Sequence, residues 1–104
     1  MDRDITLITG ASSDIGLELI KNINDNSLII AHYHSSNKEL LELKDKLDIG
    51  LITMKADLSS EDDMICLLDK IESGYGVPNK IIHLAASKFE NIRFKDVLWE
   101  KFQN

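Results

Sequence analysis

The sequence predicts an α/β protein: an open parallel sheet with helices on both faces. Two observations carry this. Short apolar runs rich in β-branched residues alternate with longer segments whose apolar residues recur at helical spacing, in the order strand, helix, strand, helix, strand, helix, strand. The strands are also apolar on both faces, as strands covered on two sides by crossover helices should be. The 104 residues form one domain, with no internal repeat, linker or low-complexity segment.

Residues 4–9 (DITLIT), closed by Gly10, are the first strand. Ile15, Leu17, Leu19, Ile20 and Ile23 place a helix over residues 14–24, stopped by Asn24, Asp25 and Asn26. Residues 28–33 (LIIAHY) are the second strand. Ser36 or Asn37 caps a helix through Leu47, with Leu40, Leu43 and Leu47 on one face. Gly50 leads into a third strand over residues 51–56. Ser59 or Ser60 caps the next helix, whose first turn carries Glu61, Asp62 and Asp63, the charge its dipole favours. Its inner face is expected at Met64, Ile65, Leu68 and Ile71, and Cys66 is read as a packed or half-packed thiol. Gly74, Gly76 and Pro78 break the chain before a fourth strand over residues 80–85. After a polar stretch, Val97, Leu98 and Phe102 mark a last helix over residues 94–104.

Composition excludes several classes. Twelve basic against eighteen acidic side chains give a net charge of -6, with no basic stripe of the kind a nucleic-acid binder needs. Lys38, Lys44 and Lys46 are interleaved with Glu39, Glu42 and Asp45 on a solvated helix face. No apolar run reaches the roughly 18–20 residues of a membrane span, and residues 1–4 lack the form of a signal peptide, so a cytoplasmic protein is expected. The single cysteine cannot form an internal disulfide. His32 and His34 have no carboxylate or cysteine beside them and are read as pocket-lining or strand-end residues, so no metal site is expected. His83 reads as a hydrogen-bonded core histidine.

Function gathers at Thr9-Gly10-Ala11-Ser12-Ser13-Asp14-Ile15-Gly16, between the first strand and the first helix. A glycine there allows a tight turn and a close backbone approach to a pyrophosphate, and the helix start offers N–H groups and a positive dipole end. Ser12 and Ser13 add hydroxyl donors. Placed after the first strand of a βα series, this turn points to nucleotide binding.

These residues resemble the short-chain dehydrogenase/reductase family, whose motif here is T-G-x-x-x-G-x-G. Thr9, Gly10 and Gly16 match it, and Asp14 stands in place of the middle glycine, near where phosphate charge would lie. Asp57-Leu58 falls where the family places an aspartate that meets the adenine. His83-Leu84-Ala85-Ala86-Ser87 falls where it has Asn-Asn-Ala-Gly; Ala86 matches, and the small residues let the backbone pass close to the ribose. Residues 97–104 (VLWEKFQN) resemble the start of the helix that carries the family's dimer contacts.

The resemblance spans the chain. It implies a Rossmann-like sheet ordered 3-2-1-4, with residues 1–104 as a single dinucleotide-binding domain, the N-terminal half of the family fold, truncated after strand four. The cofactor-binding residues it implies are Gly10, Ser12, Ser13, Asp14, Ile15, Gly16, His32, Ser35, Ser36, Asp57, Leu58, Ala85, Ala86 and Ser87. An acid at the end of strand two would select NAD. Residues 31–36 (AHYHSS) hold none; His32 stands about where that acid would be, and Ser35 and Ser36 suit a 2′-phosphate, which favours NADP, with NAD as the alternative.

The family's catalytic serine, tyrosine and lysine lie beyond strand four. Neither Tyr33 nor Tyr75 is followed four residues on by lysine, so no catalytic residue is assigned. The expected function is the cofactor-binding part of an NADP-preferring oxidoreductase acting on a small carbonyl or alcohol, inactive as this chain alone. The alternative is a non-catalytic dinucleotide-binding or association module. Strand four would be an unpaired sheet edge, so a homo-oligomer through that edge or the last helix is expected.

Overall fold

Four strands, β1 (Ile5–Thr9), β2 (Leu28–Tyr33), β3 (Leu51–Lys55) and β4 (Lys80–His83), pair in parallel in the spatial order β3-β2-β1-β4. This computed structural model describes residues 4–23, 27–46, 50–84, 96–97 and 99–100. Helices α1 (Asp14–Asn22), α2 (Lys38–Lys46) and α3 (Glu61–Gly74) connect the strands. The predicted fold class and strand order are both present: a Rossmann-like sheet with helices on two faces.

Side-chain alternation along the central strands builds two cores. Ile5 and Leu7 of β1 and Ile30 of β2 face α3, where Met64, Leu67, Leu68 and Ile71 close over them, joined by Val97. Ile8, Ile29 and Ala31 face the other way, onto Ile20 of α1 and Leu40 and Leu43 of α2. Register makes this consistent, because Leu7 lies beside Ile30 on one side and Ile81 on the other. A single-residue slip would swap every side chain between the two cores. The central strand β1 is buried throughout, whereas β3 beyond Leu51 and all of β4 are half-buried or exposed, as flanking strands of the described sheet.

Several boundaries move by a residue or two. α1 ends at Asn22, not at 24, because Asn22 Nδ2 bonds back to the Glu18 carbonyl (2.8 Å) and Ile23 turns extended. The expected stop at Asn24–Asn26 lies outside the described residues, as does Leu47. β3 ends at Lys55, although the Ala56 N–H still donates to the Tyr33 carbonyl (3.1 Å). Asn37, not Ser36, precedes the first turn of α2, its carbonyl accepting from Leu41 N–H (2.9 Å). Ser60, not Ser59, caps α3, with its hydroxyl accepting from Asp63 N–H (3.3 Å). Of the last helix, Asp96, Val97, Trp99 and Glu100 are described as helical, Val97 inward and Trp99 exposed.

The inner face of α3 corrects two readings. Its buried stripe is Met64, Leu67, Leu68 and Ile71, the i, i+3, i+4, i+7 set of one helix face. Ile65 lies one step off that stripe and is 39% exposed, while Leu67 takes the place expected of it. Cys66, two steps off, is an exposed thiol and not a packed one. Leu68→Ala, which empties a fully buried position, is expected to cost about 2–5 kcal/mol in urea unfolding. Ile65→Ala should cost under about 1 kcal/mol. Equal losses would contradict this helix register.

Candidate functional site

The turn after β1 is shaped by two glycines that nothing larger can replace. Gly10 takes φ +66°, and a Cβ there would lie 2.6 Å from the Leu84 carbonyl oxygen at the end of β4. Gly16, buried in the first turn of α1, packs so closely that a Cβ would fall 2.5 Å from the Ala11 carbonyl oxygen. The helix start is thereby drawn down onto the end of its own strand. Ser13 then caps α1: its hydroxyl oxygen accepts from Gly16 N–H (3.1 Å), and its carbonyl accepts from Leu17 N–H (2.9 Å) to start the helical ladder. The Asp14 and Ile15 N–H groups precede that ladder, so they are donors the helix itself does not use. Ser12 is half-buried; Ser13, Asp14 and Ile15 are exposed, Ile15 by 66%.

His32 holds this turn from below. It is 3% exposed, and its Nδ1 accepts from Gly10 N–H (3.0 Å) while its Nε2–H donates to the Ala56 carbonyl (2.8 Å). Its own carbonyl accepts from Ala11 N–H (2.8 Å). Burial pushes its pKa below the ordinary imidazole value; the Ala56 bond opposes that and His34 adds to it. This corrects the expected role. His32 is committed to the backbone on both ring nitrogens and is not the group that would meet a ribose.

β2 ends at Tyr33, and His34 lies in the bend that follows it. The His34 side chain is 70% exposed, and its Nε2 lies 3.9 Å from Asp57 Oδ1. Ser35 and Ser36 follow it, both exposed. Asp57 sits in the turn after β3, where Oδ1 accepts from the Ser59 hydroxyl (2.6 Å) and Ser59 N–H (2.9 Å). Those two bonds, the hydroxyl's first, hold its carboxyl below the ordinary carboxylate range. Its N–H donates to Asp63 Oδ2 (3.0 Å), which ties the turn to α3. Leu58 is half-buried against the α3 core.

A cleft of about 700 Å³ opens beside this corner, lined by His34, Ser35, Lys55, Asp57, Cys66 and Lys70 among others. It touches two of the predicted site residues, Ser35 and Asp57; the glycine turn lies outside it. A shallower apolar hollow of about 350 Å³ runs along α1 past Asp14 and Ile15. At the end of β4, His83 is half-buried and its Nδ1 is hydrogen-bonded to Thr9 Oγ1. Ala85, Ala86 and Ser87 lie outside the described residues. Thus Gly10–Gly16, Ser35, Ser36, Asp57 and Leu58 all stand at the carboxyl ends of the strands. His34, expected as a pocket-lining or strand-end residue, stands with Ser35 and Asp57 at the cleft, and its place just past strand two was the available signal. Among the described residues, no three His, Cys, Asp or Glu side chains gather to hold a metal. No helix among them is long and apolar enough to cross a membrane.

Known proteins share this fold. The chain is 30% identical over 76 residues to (21S)-21-acetoxyl-apo-melianone synthase SDR from Melia azedarach, a match covering 73% of this chain and 28% of that one. The chain belongs to the short-chain dehydrogenase/reductase family, as an N-terminal Rossmann portion. The fold superimposes on the L-sorbose reductase of Gluconobacter frateurii complexed with NADPH and L-sorbose (TM-score 0.76, 14% identity, 95% of this chain and 47% of that one). It also superimposes on a ketoreductase domain from the bacillaene assembly line (TM-score 0.70, 27% identity, 95% of this chain and 30% of that one). This short-chain dehydrogenase/reductase portion therefore spans half or less of the length of these relatives. No protein-family model matches it.

The glycine contacts are directly testable. Gly16→Ala drives a Cβ into Ala11 backbone, which cannot swing aside, and is expected to destabilise by about 1–3 kcal/mol, or more. Gly74→Ala, at the open end of α3 with nothing within 4 Å, should be neutral or stabilising by up to about 1 kcal/mol. Thermal melts of the two variants check this, and similar behaviour would refute the close approach at Gly16.

Proposed function

We propose that this chain is the dinucleotide-binding portion of an oxidoreductase that prefers NADP and acts on a carbonyl or alcohol. The observation that carries the proposal is the α1 start. Ser13 caps Gly16 and leaves the Asp14 and Ile15 N–H groups at the carboxyl end of β1, beside the point where the strand order reverses between β1 and β4. A pyrophosphate placed there meets backbone donors and the positive end of the helix dipole. The buried Gly16 supports the fit, because only its close packing brings the helix start so near the strand. Gly10 and Ala11 give their N–H groups to His32, so the phosphate donors would be Asp14 N–H, Ile15 N–H and the Ser12 and Ser13 hydroxyls.

The adenosine end would lie across β2 towards Asp57 and Leu58. Ser59 engages Oδ1 of Asp57, which leaves Oδ2 to accept from an adenine amino group. At the ribose, no carboxylate follows β2, and His34, Ser35 and Ser36 replace His32 in the discriminating role. Lys55 lines the same cleft and adds positive charge for a 2′-phosphate. The Asp14 carboxylate opposes phosphate binding by charge, though its exposure lets water screen it. When bound, the nicotinamide supplies or accepts the hydride. The proton-transfer groups belong to the family fold beyond β4.

The test is a titration of the purified chain with NADP+ and NAD+, followed by calorimetry and thermal shift. NADP+ should bind about tenfold more tightly, roughly one charge-assisted hydrogen bond. His34→Asp should remove or invert that preference. Binding of neither dinucleotide, in a folded chain, would overturn the proposal and favour a module that acts by association.

A further inference from the structure

The geometry points to His32 as the positioning residue of the phosphate turn, holding it in its binding shape only as the neutral ring protonated on Nε2. This rests on the dinucleotide reading above but concerns a residue that reading takes out of ligand contact. The hydrogen bonds define the state. Gly10 N–H needs an acceptor at Nδ1, and the Ala56 carbonyl needs a donor at Nε2. One neutral tautomer satisfies both, the one carrying its proton on Nε2. The Ala11 N–H bond to the His32 carbonyl makes the same residue hold both successive N–H groups of the turn. His32 thus links the ends of β1, β2 and β3, and sets the height at which Gly10 presents the rest of the turn.

Adding a proton from solvent at Nδ1 replaces an acceptor with a donor facing the Gly10 N–H. That bond must break, and a cation is left in a buried site. Gly10 is then released from the ring, and the turn loses its fixed height above β2. Few charges stand around the ring to absorb this. His34 follows on its own strand, and its charge opposes that of His32. Lys55 and Asp57 flank Ala56 at the end of β3, and Asp63 from α3 reaches the Asp57 N–H. The glycine turn itself contributes no titrating side chain before Asp14. Burial keeps the ring neutral at pH 7, so release needs a pH below the ordinary imidazole range, about 6.5. The sign follows from linkage: the unfolded chain takes up the proton first, so fold stability also falls as pH drops below about 6.5.

The experiment compares the chain with His32→Asn and His32→Leu. Asparagine keeps an acceptor near the Nδ1 position and does not titrate; leucine keeps neither bond. In the unliganded chain, nitrogen NMR of the ring should show the Nε2–H tautomer at pH 7.5. The Gly10 amide resonance should shift with the same midpoint as the His32 ring, and should not titrate in His32→Asn. NADP+ affinity, measured by calorimetry from pH 7.5 to 5.5, should fall about tenfold further in the wild type than in His32→Asn. His34 is unchanged in both, so the difference between the two proteins reports the substitution at position 32. At pH 7.5 His32→Asn should bind nearly as well as wild type and His32→Leu about tenfold more weakly, with unchanged far-ultraviolet circular dichroism. An Nδ1–H tautomer, a Gly10 amide that titrates alike in His32→Asn, or affinities that fall in parallel would overturn the inference and leave the functional reading standing. Absence of dinucleotide binding at every pH, with Gly10 still following the His32 ring, would overturn the functional reading and leave the lock itself supported.

Discussion

The approach of α1 to the end of β1 is the constraint on which the site depends, and it is steric before it is chemical. Gly16 presses against the Ala11 backbone at a distance that excludes any Cβ, while Gly10 turns through positive φ against the Leu84 carbonyl. Those two contacts fix where the helix begins relative to the sheet. The Ser13 cap then decides which N–H groups are spent and which remain. Because Gly16 N–H goes to the cap, the donors left for a ligand are the two residues before it. Without the close approach, the same helix would still form, but its dipole would end over solvent and not over the crevice between β1 and β4.

Beneath that turn, the carboxyl ends of the strands are joined by side chain-to-backbone bonds as well as by the ladder. His32 joins the glycine turn to Ala56, and Thr9 joins His83, so the ends of all four strands are coupled at one level. Bonds of this kind contribute about 0.5–1.5 kcal/mol each when made, but leaving a buried partner unpaired costs about 1–3 kcal/mol. The asymmetry makes such a network a means of fixing geometry more than a source of stability. On the outside of the same level, Lys55 and Asp57 supply charges of both signs beside the His34 ring along one open cleft. Two histidines two residues apart therefore stand in opposite settings, His32 sealed and hydrogen-bonded to backbone, His34 exposed at the cleft.

How much of this was legible in the residues follows from what each signal measures. Periodicity reports the apolar face of an isolated element, so the seven elements and their order could be read directly. It located the α3 stripe at Met64, Leu68 and Ile71 but misplaced its edge: Leu67, not Ile65, completes the i, i+3, i+4, i+7 set that packs on β1 and β2. Cys66 falls by the same spacing on the side of α3 away from that stripe, and it is exposed. The glycine turn was legible because its residue types answer to local backbone demands: Gly10 to a positive φ, Ser13 to a cap. His32 was not, since nothing local distinguishes a histidine aimed at a ligand from one aimed at a neighbouring strand.

The sequence by itself determined the alternation of strands and helices, the two-faced burial of the central strands and the position of the glycine turn. These depend on local propensity, spacing and glycine chemistry, all of which are written in consecutive residues. Tertiary structure alone decided which histidine is sealed and which is exposed. It also placed Asp57 within 3.9 Å of His34 and set the height of the glycine turn. Those outcomes depend on the parallel register that sets His32 beside Met54 and carries the ring towards Ala56, 24 residues away along the chain. Register is a property of the assembled sheet, and no stretch of consecutive residues contains it.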